Sequence, residues 1–216
     1  MIIKFLGHSC FWIRSESGTS ILTDPYKTGA YGGALTYGPI QEEADMAVIS
    51  HEHEDHADIA SLPSQPLLIR TSCLAQGVDF DVYKTFHDNS QGKERGENRV
   101  TCFLMDEIRV CHMGDVGHVL SDSLVEEIGA VDVLLLPVGG TFTIGPAEAD
   151  ANIALLKPRI VIPMHYHTEK CGFPILPLDA FLEGKRNIRR SPSSEVALHR
   201  EDLPEECTYL CLPPAN

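Results

Sequence analysis

The chain has 216 residues and carries 31 acidic against 17 basic side chains, a formal charge of −14 with its ten histidines counted neutral. Apolar residues make up 43% and charged residues 22%, which excludes a disordered chain, and no apolar run approaches the roughly 18 residues of a membrane span. The acidic balance weighs against nucleic acid and anionic lipid as partners.

The start, Met1 to Leu6, lacks the long apolar stretch and cleavage site of a secretory signal. The seven cysteines form no C-x-x-C pair, so they read as small buried hydrophobes in a reducing cytoplasm, the expected location. In chain order, Ile2–Leu6, Cys10–Arg14 and Thr19–Asp24 have the β-branched and aromatic character of strands, with a turn at Ser15 to Gly18. Lys27 to Pro39 is too rich in glycine for a helix and reads as a surface loop. Ala44–Ser50 is an apolar strand. Further strands are expected at Leu67–Thr71, Asp81–Phe86, Arg99–Leu104, Ile108–His112, Val131–Pro137 and Arg159–Pro163, and near Val196 and Tyr209. Helices are expected at Ser121–Ile128, Pro146–Lys157 and Leu178–Glu183, with Pro146 suited to a first turn. No repeat or long linker interrupts the pattern, so residues 1–216 read as one α/β domain. The sequence carries no signal for an oligomeric state.

The main chemical signal follows the strand at Ala44–Ser50. His51-x-His53-x-Asp55-His56 places three imidazoles and a carboxylate within six residues, offering nitrogen and oxygen ligands to divalent metal. The group is too dense for one tetrahedral ion. Two ions would divide it, His51 and His53 on one and Asp55 and His56 on the other. His87, Asp115 and His165 each end a strand-like run, where the loops of a sheet could converge on the first group.

These segments resemble the metallo-β-lactamase superfamily, and within it the short metal-dependent hydrolases related to L-ascorbate-6-phosphate lactonase. The resemblance is carried by Gly7-His8-Ser9-Cys10-Phe11, Thr23-Asp24-Pro25-Tyr26, His51 to His56, Phe86-His87, His112-Met113-Gly114-Asp115, Leu136 to Pro146 and Pro163-Met164-His165-Tyr166. It implies a four-layer αβ/βα sandwich of two mixed sheets with metals at one edge. It also implies that His51, His53 and His87 hold one ion and that Asp55, His56 and His165 hold the other. Asp115 would bridge them and Asp24 would orient a ligand imidazole. The cofactors would be two divalent ions, zinc first, with Mn2+, Fe2+ or Ni2+ also compatible. Two features depart from the branch. Gly140 stands where many members have an acidic residue, and His87 to Asn98 is a long charged segment, either a lid over the metals or an exposed hairpin loop. The chain is also too short for the large inserted domain of the RNA-cleaving members.

The expected chemistry is attack of a metal-activated hydroxide on a small, anionic lactone, ester or phosphate ester, with Asp55 positioning the nucleophile. His118, three residues past Asp115, is a second catalytic candidate as a leaving-group acid. His8 and His112 read first as structural, His167, two residues past His165, is a candidate to face the cleft, and His199 reads as exposed. Arg95, Lys170, Lys185 and Arg186 are candidates for an anionic substrate group. A nuclease or phosphodiesterase on the same fold and a non-catalytic metal-binding module are the alternatives. A di-iron redox enzyme ranks lower, because such members usually present Glu where this chain has His53.

Overall fold

The computed structural model describes residues 1–216. Period-two alternation makes the N-terminal strands two-faced. In β1 (Ile2–Gly7), β2 (Cys10–Arg14), β3 (Ser20–Thr23) and β4 (Met46–Val48), the side chains of Phe5, Phe11, Ile21 and Met46 enter one core. Leu6, Cys10, Leu22 and Ala47 enter a second core on the opposite face. Along the chain follow β5 (Leu67–Ile69), β6 (Cys73–Ala75), β7 (Val78–Phe86), β8 (Glu97–Met105), β9 (Ile108–His112) and β10 (Val133–Pro137). The last strands are β11 (Ile160–Met164), β12 (Ile188–Arg190), β13 (Glu195–Ala197) and β14 (Thr208–Cys211). They form a six-stranded sheet, β13-β1-β2-β3-β4-β5, and an eight-stranded one, β12-β14-β11-β10-β9-β8-β7-β6. Both sheets mix parallel and antiparallel pairs, and a 45-residue core draws on each.

The helices are few. α1 (Ala30–Gly33) is a single turn in which Tyr31 and Gly32 are left-handed, so the loop expected at Lys27 to Pro39 is interrupted only briefly. α2 (Asp122–Ile128) starts where the Ser121 hydroxyl accepts from the Leu124 amide, and α3 (Pro146–Leu156) has its proline in the first turn. These two are crossovers between the consecutive parallel strands β9, β10 and β11, which puts both on one outer face. α4 (Leu178–Leu182) follows β11. The outer face of the six-stranded sheet is covered instead by coil that contributes Tyr26, Leu35, Tyr37, Ile40, Cys171 and Ile175. The architecture is the expected sandwich of two mixed sheets, with one outer layer poor in helix.

Two strands escape a sequence reading. β6 pairs with β7 through Gln76-Gly77, both at positive φ, a tight two-residue hairpin lacking the usual Asn-Gly or Asp-Gly signal. β12 is a short, fully exposed edge strand with no apolar alternation. All seven cysteines are free thiols.

Strand direction places the site. β1 and β3 both run antiparallel to β2, and β4 runs parallel to β3, so β1, β3 and β4 end at one edge. In the other sheet β7 and β9 both run antiparallel to β8, and β10 and β11 continue parallel to β9, so β7, β9 and β11 also end together. His51 to His56, His87, Asp115 and His165 all lie just beyond these C-terminal ends.

Candidate metal centre

The two edges bring His51, His53, Asp55, His56, His87, Asp115 and His165 into one cluster. Donor atoms of His51, His53 and His87 lie within 4.8 Å of one another, and so do those of His8, Asp55, His56 and His165. Asp115 stands between the two groups. Its Oδ2 is 3.1 Å from His56 Nε2, 3.2 Å from His165 Nε2, 3.3 Å from His87 Nε2 and 4.0 Å from His51 Nε2.

A buried hydrogen-bond chain fixes which ring nitrogens face inward. Asp24, fully buried, accepts from the Ser50 amide at 2.7 Å, from the Ser50 hydroxyl, and from His56 Nδ1 at 2.9 Å. The Ser50 hydroxyl proton is thereby committed, so its oxygen accepts from His51 Nδ1 at 2.9 Å. Both imidazoles thus have their Nδ1 engaged on the outer side and their Nε2 turned toward the centre, the arrangement in which an imidazole would ligate through a bare Nε2. The bond from His56 Nδ1 to Asp24 is the contact through which the resemblance would have Asp24 orient a ligand imidazole. Asn98 performs a similar service for Asp115. Its Oδ1 accepts from the Asp115 amide at 2.9 Å while its Nδ2 donates to Thr85 Oγ1 and the Met113 carbonyl.

The backbone is strained where the side chains are aimed. His8, Asp24 and His165 follow β1, β3 and β11 directly, and all have positive φ, at 55°, 38° and 51°. A left-handed non-glycine residue costs on the order of 1 kcal/mol, and it persists here because packing on both sides over-determines it.

Burial alone would push the carboxyls up, but the imidazoles reverse it. His165 and His56 hold Asp115 well below the usual carboxylate range, and His56 and His8 do the same for Asp55. Burial drives His51 down to about 3, helped by the neighbouring His56, and drives His8 down to about 4, helped by His165. His56 moves the other way. Asp115 and Asp55 overcome its burial and raise it well above the ordinary value.

The donor set fits divalent metal. His56 Nε2, which faces Asp115 Oδ2 at 3.1 Å, and Asp115 Oδ1 are buried polar atoms without a formed hydrogen bond. Such orphans are rare in folded proteins, and an ion shared by lone pairs from imidazole and carboxylate satisfies both.

Other sequence candidates lie elsewhere. The structure does not bring His118 into the cluster. Its Nδ1 donates to the Val119 carbonyl at 2.9 Å and its Nε2 accepts from the Phe86 amide at 3.3 Å, so both nitrogens serve the main chain. His112 likewise bonds the Ser9 carbonyl and the Gly114 amide, as a structural residue should. His199 pairs with Glu16 on the surface, and His167 does not line the cleft. Two contributors went unrecognised. His8, 1% exposed, donates from Nε2 to Asp55 Oδ2 at 3.0 Å and packs on the His165 ring at 4.2 Å. The Tyr31 hydroxyl donates to Asp55 Oδ1 at 3.1 Å. The Gly-His-Ser turn at residues 7–9 was the available signal for His8; Tyr31 had none.

A cavity of about 530 Å³ opens above the cluster, lined by His53, Asp55, His87, Asp115 and His165 on one side and by Tyr31, Ala34, Phe142, Phe173 and Arg95 on the other. A second chamber of about 550 Å³ adjoins it through His87, Arg95 and Phe142, and includes His118 and Gly140.

Comparison with known proteins agrees with this geometry. Residues 2–165 match the β-lactamase superfamily domain. A UPF0173 metal-dependent hydrolase of Thermococcus kodakarensis is 34% identical across 77% of this chain and 84% of its own length. A second, from Methanoculleus marisnigri, is 29% identical across 92% and 93%. Among solved structures, a Thermotoga maritima chain assigned as a Zn-dependent hydrolase of the metallo-β-lactamase superfamily superposes with a TM-score of 0.79. It is 36% identical and the match covers 98% of this chain and 97% of that one. With the loops that bear the His/Asp cluster inside the matched span, the chain belongs to the metallo-β-lactamase superfamily and is a metal-dependent hydrolase.

Proposed function

We propose that this cleft hydrolyses a small lactone, ester or phosphate ester, using two divalent ions held by seven side chains of this chain. His51, His53 and His87 would hold one ion; Asp55, His56 and His165 would hold the other, with Asp115 shared. The observation that carries the reading is the convergence of both donor groups on one buried carboxylate, Asp115, at the floor of a cavity. An all-nitrogen-and-oxygen donor set suits zinc first, and manganese, iron or nickel as well. Pairing of β13 with β1 and of β14 with β11 ties the C-terminal segment into both sheets, which supports reading residues 1–216 as one domain.

Divalent ions at such a site supply Lewis acidity toward the substrate oxygen and acidify water toward neutral pH. The chain supplies the rest. Asp24 and Ser50 hold His51 and His56 in the tautomer that offers Nε2 inward. Asp55, aligned by His8 on one oxygen and Tyr31 on the other, orients the attacking water through its remaining lone pairs. Burial and the adjacent Asp55 carboxylate push the Tyr31 phenol above its ordinary pKa, so it remains a proton donor facing the cavity. Water adds to the acyl carbon or phosphorus, the bond to the leaving oxygen breaks, and that oxygen takes up a proton.

The test is metal content by mass spectrometry together with hydrolysis of a panel of lactones, carboxylic esters, phosphodiesters and phosphomonoesters, before and after chelation. About two ions per chain and chelation-sensitive turnover of one class are expected. Undiminished metal content in a His51→Ala, His165→Ala double variant refutes the ligand assignment, and a metal-loaded protein inert on all four classes refutes the hydrolytic one.

A further inference from the structure

Of the cations that the sequence offered for an anionic substrate, the structure singles out one. Lys185 is bonded to Asp150 at 2.8 Å and lies 4.0 Å over the Phe181 ring, away from the cleft. Arg95 is the only lysine or arginine lining the cavity above the cluster, and it also lines the adjoining chamber.

Arg95 is held in place by its main chain. Asp88, immediately after His87, is 3% exposed and its carboxylate accepts from the amides of Ser90, Gly92, Glu94 and Arg95 itself, at 2.7 to 3.0 Å. One buried carboxylate thus gathers residues 90–95 around itself, and the segment that the sequence left open as lid or loop is a tied structure presenting a guanidinium at the rim. The Arg95 guanidinium lies 5.9 Å from the Phe142 ring, and its nearest carboxylate is the exposed Glu94 at 3.7 Å. An exposed pair of that length contributes little, which leaves the guanidinium free to bind.

The charge balance of the site gives this cation a purpose. Asp55 and Asp115 bring two negative charges to the cluster, and each divalent ion bound there brings two positive ones. A fixed guanidinium beside that centre is repelled unless an anion lies between them. Facing it, Phe173 meets Tyr31 and Phe142 edge to face at 5.4 and 5.7 Å, forming an apolar wall on the same cavity.

Building on the hydrolytic reading above, we propose that the cleft selects esters carrying a second, anionic group beside an apolar body. The oxyanion, carboxylate or phosphate, binds Arg95 through the guanidinium fork; the apolar part lies on Tyr31, Phe142 and Phe173; and the scissile bond faces the His/Asp cluster.

The test compares two esters of equal chain length on the metal-loaded protein, 4-nitrophenyl hexanoate and mono-4-nitrophenyl adipate. Each consumes one water and releases 4-nitrophenol with the corresponding acid. The anionic ester should be preferred in kcat/KM by about tenfold or more, as one charge-assisted hydrogen bond implies. Arg95→Gln should raise KM for the adipate ester about tenfold with kcat little changed, leave the hexanoate ester unaffected, and be rescued in part by Arg95→Lys. Calorimetric titration of 3-phenylpropionate and of 2-phenylethylphosphonate gives a readout free of turnover and separates carboxylate from phosphate recognition. Weakened binding of either in Arg95→Gln supports the subsite even if neither ester is hydrolysed, an outcome that would remove the ester-hydrolase reading alone. Measurable but equal turnover of the two esters, or equal losses on both in Arg95→Gln, overturns the subsite and leaves the hydrolase reading intact, and unchanged binding of both acids in Arg95→Gln overturns the subsite whether or not the esters turn over.

Discussion

Asp24→Asn exchanges one oxygen for an NH2 group and should disable the centre without touching a ligand. The wild-type carboxylate accepts three hydrogen bonds, from the Ser50 amide, the Ser50 hydroxyl and His56 Nδ1. An asparagine oxygen can keep the Ser50 amide, but the NH2 group then meets two donors. The cheapest repair is for His56 to change tautomer, accepting at Nδ1 and carrying its proton on Nε2, the atom 3.1 Å from Asp115. A protonated Nε2 cannot ligate. Loss of a partner of this kind costs about 10- to 100-fold in metal affinity. The fold also loses up to two bonds to a buried charge at about 1.5–3 kcal/mol each, a large share of a typical 5–15 kcal/mol stability. Affinity should be read by competition with a chromophoric chelator, and stability by urea unfolding in EDTA, so that the two losses are separated. Wild-type affinity in a folded Asp24→Asn protein would falsify the tautomer argument. Ser50→Ala, which removes the relay to His51 Nδ1 but leaves His56 bonded, should give a smaller affinity loss.

A Cβ on Gly117 would lie 2.4 Å from the Asp88 amide nitrogen and the His87 carbonyl carbon. Gly117→Ala should therefore displace the His87 backbone and weaken metal binding by about tenfold or more, and unchanged affinity would mean that the backbone yields. Metal at about 1,000 times its Kd should stabilise the fold by about 4 kcal/mol over the EDTA-treated protein; coincident melting curves would deny a folded-state metal site. In the metal-free protein, His8 and His51 have folded pKa values of about 4 and about 3, below an ordinary 6.5. Unfolding then takes up protons, so their contribution is present above pH 6.5 and is lost as pH falls toward 4, whereas the raised His56 and His87 act in the opposite sense. The difference between wild type and His8→Asn isolates one group. The variant's stability should fall less steeply between pH 6.5 and 4.5, by up to about 1.4 kcal/mol per pH unit; parallel slopes contradict this.

The metal cluster was legible because its information is local. His51 to His56 occupy six consecutive residues, and His87, Asp115 and His165 each follow an apolar strand whose end a periodicity reading can find. What supports the cluster is not local. Asn98 lies inside β8 and looks like any polar strand residue until β7 and β9 close on either side of it. Tyr31 reaches Asp55 from a left-handed turn among glycines, and His8 turns inward only because its own φ is positive. The misplacement of His118 has the same origin. Three residues past Asp115 is near in sequence, but the Gly117 amide bonds the Phe86 carbonyl at 2.9 Å, and that turn sends the ring to the main chain of Phe86 and Val119.

The ten histidines also divide by charge in a way that composition could not show. His8, His51, His53 and His112 are pushed down, chiefly by burial, and stay neutral, while His56 is pushed up by Asp115 and Asp55. His56 is the imidazole that touches Asp24, Asp55 and Asp115 at once, at 2.9, 3.5 and 3.1 Å. Without metal, Asp115 and Asp55 favour the protonated form of His56, whose charge offsets part of theirs, and a divalent ion held at the proposed site would supply positive charge in its place. On the proposed ligand assignment, metal binding at this residue would release a proton. Asp88, the other buried carboxylate, is satisfied by four backbone amides, and the remaining acidic side chains lie nearer the surface. If the proposed anion subsite holds, an anionic substrate would meet that acidic exterior first and find in Arg95 the one cation lining the cavity above the cluster, so the placement of a single guanidinium would decide what enters.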